Sequence, residues 1–134
     1  EAVRCDRSDG LGIGMLMQTG VMVAVISKER NPVVSARCRK LGIPCLSACD
    51  DKQEALTQFA NTHGIPLSQT IFVGNDINDI PCMDIVALPV AVADAHPAVI
   101  PHARYLTKKA GGHGAVREIC DRIIAAQHLT KEPR

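Results

Sequence analysis

Aromatic residues are almost missing from this chain: no Trp, one Tyr and two Phe among 134 residues. So few rings leave little for bases to stack on. A formal net charge of +1, from 15 Lys and Arg against 14 Asp and Glu, offers no basic footprint for a phosphate backbone. Nucleic acid is therefore not an expected partner. Long apolar runs are lacking as well: Val21 to Ile26 and Ile85 to Ala93 fall far short of the roughly 20 residues that cross a bilayer. A membrane is not an expected partner either, and with no signal peptide the reading is of a cytoplasmic protein. Charged residues at 22% and hydrophobic residues at 46% exclude disorder, collagen and coiled coil and leave one globular domain over residues 1–134.

Zinc-finger spacing is also absent. Cys45 and Cys49 stand close, but no second Cys or His pair completes a tetrahedral set. The six cysteines (Cys5, Cys38, Cys45, Cys49, Cys82 and Cys120) read as reduced, buried small hydrophobes rather than as staples. The chain opens on Glu1 rather than Met, which reads as a sequence preceded by a further segment.

What is present is alternation. Stretches with apolar residues three or four apart give way to short runs rich in Val and Ile, bounded by Gly, Pro or Asp. The pattern predicts a helix over Gly10 to Gln18, a strand over Val21 to Ser27, a helix over Pro32 to Leu41 and a strand over Pro44 to Ser47. It continues with a helix over Asp51 to His63, a strand over Thr70 to Val73 and a short helix over Asp76 to Met83. A strand over Leu88 to Ala93, a helical turn over Pro97 to Ala103, a strand over Arg104 to Thr107, a last helix over Ala115 to His128 and a frayed end from Thr130 to Arg134 complete it. Gly20, Gly42 and Gly64 each close a helix. In the last helix Val116, Ile119, Cys120, Ile123 and Ile124 form one stripe, with Arg117, Glu118, Asp121 and Arg122 elsewhere. The fold class is α/β: a parallel sheet flanked by helices.

Ligands of such sheets gather at the carboxyl ends of the strands. Those ends carry Ser27 with Lys28 and Glu29, then Asp50, Asp51 and Lys52, then Gly74 to Asp79 (GNDIND), then Asp94, Ala95 and His96. Carboxylates suit hard Mg²⁺, while Ser27 and Lys52 can donate to phosphoryl oxygens. Asn75, Asp76 and Asp79 would crowd negative charge, which calls for a cation beside them. The loop of Gly111, Gly112, His113 and Gly114 precedes the last helix, whose free N–H groups can receive an anion with Arg117 beside them. His96 stands at a strand end; His63, His102 and His128 read as solvated.

DGLGIGML at Asp9 to Leu16, VAVIS at Val23 to Ser27, GIPC at Gly42 to Cys45, VGNDINDIPCM at Val73 to Met83, VAVADAH at Val90 to His96 and GGHGAVREICD at Gly111 to Asp121 occur in order. With Lys52, they resemble the haloacid dehalogenase superfamily, in its small capless branch of 3-deoxy-manno-octulosonate 8-phosphate phosphatases and the phosphatase-like module of acylneuraminate cytidylyltransferases. The resemblance implies a Rossmann-like fold in which Ser27 binds phosphate and Lys52 steadies a phosphorylated intermediate. Asn75, Asp76 and Asp79 would serve Mg²⁺, and Asn78, Gly111, Gly112 and Arg117 the substrate, a phosphorylated sugar acid. It also implies a homo-oligomer, a tetramer, in which the segment around Arg117 reaches an active site.

Three departures stand out. Relatives carry a Gly-Arg pair where Lys28 and Glu29 stand here, and Asn75 replaces an acid. The family's nucleophile motif, DxDGxxTD, does not occur, and Asp6-Arg7-Ser8-Asp9 has the wrong spacing. The N-terminal nucleophile strand and flap hairpin are thus expected upstream, and the chain alone is expected to be inactive. In the family that strand lies between the one ending in Ser27 and the one ending in Gly74, so its omission should split the sheet. The reading is a Mg²⁺-dependent sugar-acid phosphatase working through an aspartyl-phosphate. The alternative is a non-catalytic oligomerisation module of a cytidylyltransferase.

Overall fold

The computed structural model describes residues 7–30 and 32–131. Cys5, Asp6 and the end 132–134 of the expected frayed tail lie outside the described residues. Helix α1 covers Arg7–Gln18, β1 Val25–Ile26, α2 Pro32–Leu41, β2 Cys45–Leu46, α3 Lys52–Thr62 and β3 Ile71–Gly74. They are followed by α4 at Ile80–Met83, β4 at Leu88–Ala91, β5 at Tyr105–Leu106 and α5 at Ala115–Lys131. Short 3₁₀ turns stand at Leu67–Gln69, Ile77–Asp79 and Ile100–His102.

Local signals set the helix ends. Pro32 opens α2, where its missing N–H costs nothing. The Asp51 carboxylate accepts from Glu54 N–H at 3.0 Å and caps α3. Gly42 and Gly64 sit at φ +74° and +65°, beyond the reach of most side chains, and end α2 and α3. The helix predicted over Asp76 to Met83 divides into the 3₁₀ turn at Ile77–Asp79 and α4, because Pro81 has no N–H to continue one ladder.

Every strand pair is parallel, but the strands form two sheets, β1-β2 and β3-β4-β5. Among the described residues nothing pairs with the outer sides of β1 and β3. The strand predicted over seven residues, Val21 to Ser27, is accordingly reduced to Val25–Ile26, since only β2 supplies partners. Ile71 and Val73 of β3 stay 38% and 37% exposed, whereas Val90 and Ala91 of β4, between two neighbours, are buried. This split falls between the strand leading to Ser27 and the strand ending in Gly74.

Helix α3 bridges the two sheets, packing against β1 on one side and against α4 and the turn at Ile77–Asp79 on the other. The main core gathers Met83, Ala91, Val92, Ala95, Val99 and Ala115, with Phe72, Ile80 and Ala103 against it. Helices α1 and α5 cross closely: a Cβ on Gly12 would meet Arg117 Cδ at 2.8 Å and Cys120 Cβ at 3.2 Å. Only glycine lets the two backbones approach so far.

Candidate active site

The strand ends are tied to one another by direct bonds. Ser27 O accepts Cys49 N–H at 2.9 Å and Glu29 O accepts Ala48 N–H at 3.2 Å, so the ends of β1 and β2 run together and lead straight into Lys52. The Lys52 ammonium lies 2.7 Å from Asp79 Oδ1, both side chains nearly sealed from water. Asp79 Oδ2 accepts the N–H groups of Asn75 at 2.9 Å and Asp76 at 3.2 Å. Asn75 O in turn accepts His96 N–H at 2.9 Å, joining the ends of β3 and β4. Asp94 Oδ1 accepts Gly111 N–H at 2.8 Å, which brings the glycine-rich loop to the same row.

Gly74 makes the centre possible. A Cβ there would stand 2.8 Å from Asp79 Cβ and 2.9 Å from Met83 Sδ, so the strand must end in glycine for Asp79 to fold back beneath it. Asp79 is 3% exposed yet fully partnered, by one ammonium and two backbone N–H groups.

Ser27, Lys52, Asn75, Asp76 and Asp79 therefore belong to one connected row, with Gly111 at its far end. Ser27 Oγ accepts Glu29 N–H at 2.9 Å, which leaves its own proton to donate elsewhere. Asp76 Oδ1 accepts Ile77 N–H at 2.7 Å, while Asn75 and Asn78 are exposed. Gly112 sits in the loop at φ +72°. Arg117 lies apart from the row: its Nε donates to Asp121 Oδ1 at 2.9 Å, its Nη1 to Ser8 Oγ at 3.2 Å and its backbone N–H to Asp9 Oδ1 at 2.9 Å. The structure thus gives Arg117 to the α1–α5 contact of its own chain.

The expected Mg²⁺ ligands are Asn75, Asp76 and Asp79. Among the described residues no three His, Cys, Asp or Glu side chains come together as a cation site. Asp79, counted toward Mg²⁺ in the sequence, has Lys52 as its counter-charge instead, and its second oxygen is taken by backbone N–H groups. Asn75 and Asp76 are hard oxygen donors of the right kind for Mg²⁺, which commonly keeps several waters and takes only one or two side-chain oxygens.

Sequence reasoning named Lys28, Glu29 and Asp50 at the strand ends but missed Arg30 and the contacts of Glu118. Lys28, Glu29, Arg30 and Asp50 line an open depression of about 390 Å³ beside Ser27. Arg30 reaches Asp50 at 3.3 Å, so the depression carries two cations and two anions. Glu118, read as a charge on the far face of the last helix, instead accepts N–H groups from Lys108 and Lys109 and the hydroxyl of Tyr105. Burial alone would raise its pKa, but those three bonds outweigh that and hold it below the usual 4.5. Two of the donors are backbone groups nine and ten residues upstream and the third is a side chain thirteen residues upstream, which no spacing rule displays. His96 Nδ1 accepts Ala98 N–H at 3.0 Å, and His102, exposed as expected, meets Asp84 at 2.8 Å.

The described cysteines are free thiols. Burial is the first cause that pushes Cys38, Cys82 and Cys120 up to about 11, with the Cys45 thiol adding at Cys38 and the Asp79 carboxylate at Cys82. Thiols so protonated are poor nucleophiles. The reactive groups of the row are its oxygens and the Lys52 ammonium.

A parallel α/β fold with an acidic strand end locked to a buried lysine defines the class. Residues 45–119 match the model of the haloacid dehalogenase-like hydrolases, and the chain belongs to that family. Over 127 residues it is 42% identical to the 3-deoxy-D-manno-octulosonate 8-phosphate phosphatase of Escherichia coli K12, covering 94% of this chain and 68% of the relative. It is 48% identical to a HAD family hydrolase from Streptomyces avermitilis, with a TM-score of 0.87 over 90% of this chain and 70% of that one. The octulosonate phosphatase of Moraxella catarrhalis, solved with magnesium, phosphate and KDO, is 34% identical, with a TM-score of 0.87 and the same coverage. These relatives are phosphatases and hydrolases by name, and they lend no support to the oligomerisation-module reading. Among the described residues no helix is long and apolar enough to cross a membrane.

Proposed function

We propose that this chain forms the greater part of a Mg²⁺-dependent phosphatase acting on a phosphorylated sugar acid of the octulosonate or nonulosonate type. The supporting observation is the buried Lys52–Asp79 pair at the end of β3, in a chain similar along 94% of its length to an octulosonate phosphatase. Its nucleophilic aspartate would come from a strand entering between β1 and β3, whose facing sides have no partner among the described residues. One inserted strand would make a single six-stranded sheet and place its carboxyl end between Ser27 and Asn75.

Roles follow from the bonds already formed. The Ser27 hydroxyl, its oxygen occupied by Glu29 N–H, donates its proton to a phosphoryl oxygen. Lys52 spends one of three donors on Asp79 and keeps two for the phosphoryl group passed to the aspartate. Asp79 fixes the ammonium in place. Asn75 and Asp76 would contribute oxygens to Mg²⁺, which when bound supplies charge stabilisation for the phosphoryl oxygens. Asn78, Gly111, Gly112 and the depression lined by Lys28 and Arg30 lie along the route for the sugar acid.

The test is phosphate release from a panel of phosphorylated sugar acids by the chain joined to its nucleophile segment. Turnover should need Mg²⁺ and fall about 10²- to 10³-fold in kcat for Lys52→Ala. Undiminished turnover by that variant overturns the mechanism. Light scattering on the same preparation tests the oligomer.

A further inference from the structure

The loop between β5 and α5 is held by one carboxylate. Glu118 Oε1 accepts Lys108 N–H at 2.9 Å and Lys109 N–H at 3.0 Å, and Oε2 accepts the Tyr105 hydroxyl. Tyr105 is itself fixed, with the Arg122 guanidinium 4.9 Å above its ring. A charged acceptor serving two consecutive backbone N–H groups sets the direction in which the chain leaves β5. Thr107 reinforces that path: buried at 2% exposure, its hydroxyl donates to Lys109 O at 2.6 Å and accepts Ala93 N–H at 3.0 Å.

Two residues beyond Lys109, Gly111 N–H holds Asp94 Oδ1. Asp94 is exposed at the end of β4, beside the strand end that carries Asn75 and Asp76. Its carboxylate has an oxygen left over, and a carboxylate at the mouth of a strand-end crevice is an acceptor for hydroxyl groups. We infer that Asp94 is a specificity-determining acceptor for the hydroxyls of a polyhydroxylated substrate and that Glu118 is its positioning residue, acting through the Lys108–Gly111 loop.

This inference rests on the phosphatase reading. Glu118→Gln removes the charge and keeps a single acceptor oxygen, which cannot serve both the two N–H groups and the Tyr105 hydroxyl, so the clamp weakens. Asp94→Ala removes the acceptor and leaves the clamp alone. In the chain joined to its nucleophile segment, each variant should raise KM for the sugar-acid phosphate about tenfold with kcat nearly unchanged, the worth of one charge-assisted hydrogen bond. The double variant should be no worse than either, because both remove the same contact.

Amide exchange separates the two roles. Lys108 and Lys109 amides should exchange faster in Glu118→Gln but not in Asp94→Ala, while the Gly111 amide should exchange faster in both. If Glu118→Gln does not fold, Tyr105→Phe, which removes one donor to the same carboxylate, should raise KM about threefold. Unchanged KM in Asp94→Ala, additive effects in the double variant, or faster exchange in Glu118→Gln without a KM change overturns the inference alone. A parent protein that releases no phosphate from the whole panel overturns the phosphatase reading, and this inference with it.

Discussion

Lys52 and Asp79, 27 residues apart in sequence, form a buried ion pair of 2.7 Å at the junction of the two sheets. Lysine comes from the first turn of the bridging helix α3, aspartate from the turn after β3. The pair therefore fastens one half of the fold to the other as well as placing an ammonium among the strand ends.

Breaking the pair from either side strands a buried charge. Lys52→Ala should cost about 3–5 kcal/mol, far more than a surface ion pair is worth. Adding Asp79→Asn to it should restore part of that stability, because a neutral amide tolerates burial better than a lone carboxylate. Urea unfolding of the two single variants and the double variant measures the coupling. Additive losses would show that the contact is not felt.

Gly74 is under the same constraint from below. Gly74→Ala puts a methyl within 2.8 Å of Asp79 Cβ and 2.9 Å of Met83 Sδ, so Asp79 must shift and Lys52 with it. A loss of about 1–3 kcal/mol is expected from overpacking. Thermal melting checks the stability, and in the chain with its nucleophile strand kcat should fall together with it.

Ala48 stands at φ +56°, the left-handed region, in the segment that carries β2 toward Lys52. Its N–H donates to Glu29 O, so the strained turn is held from the end of β1. Ala48→Gly relieves a penalty of about 1 kcal/mol against a similar gain in unfolded-state entropy. The substitution should therefore be neutral to slightly stabilising in a urea titration, whereas Ala48→Val should destabilise.

Acid should loosen the β5–α5 loop. Glu118 is held below its usual 4.5 by Tyr105 and the two loop N–H groups, which overcome its desolvation. Its contribution is complete above the unfolded value and is lost as pH falls through the lower folded value. The difference in urea midpoint between parent and Glu118→Gln should thus be constant from pH 7 to about 5 and shrink below about 4. A difference independent of pH would remove this carboxylate from the balance. Tyr105, raised by the same bond, works in the other direction: its share is present below the unfolded value near 10 and lost as pH climbs through the raised one.

The helices were legible because their ends are local chemistry. Pro32, Gly42, Asp51 and Gly64 fix the limits of α2 and α3 without help from distant residues. Strand β1 was overread because Val21 to Ser27 has the composition of a buried strand, and composition does not count neighbours. Of the site, Ser27, Lys52 and the GNDIND turn were legible from their positions at strand ends. The partner of Asp79 was not, since the same acidic pattern serves a metal ion or a lysine. Glu118 was hidden for another reason: on a helix wheel it is indistinguishable from its charged neighbours Arg117 and Asp121.

β3 runs along the rim of its sheet, with Ile71 and Val73 half uncovered and its outer N–H and C=O groups unpaired among the described residues. Such a rim is a template onto which any extended apolar peptide can zip. A chain with this rim open is expected to associate through it as its concentration rises, which light scattering over a dilution series measures.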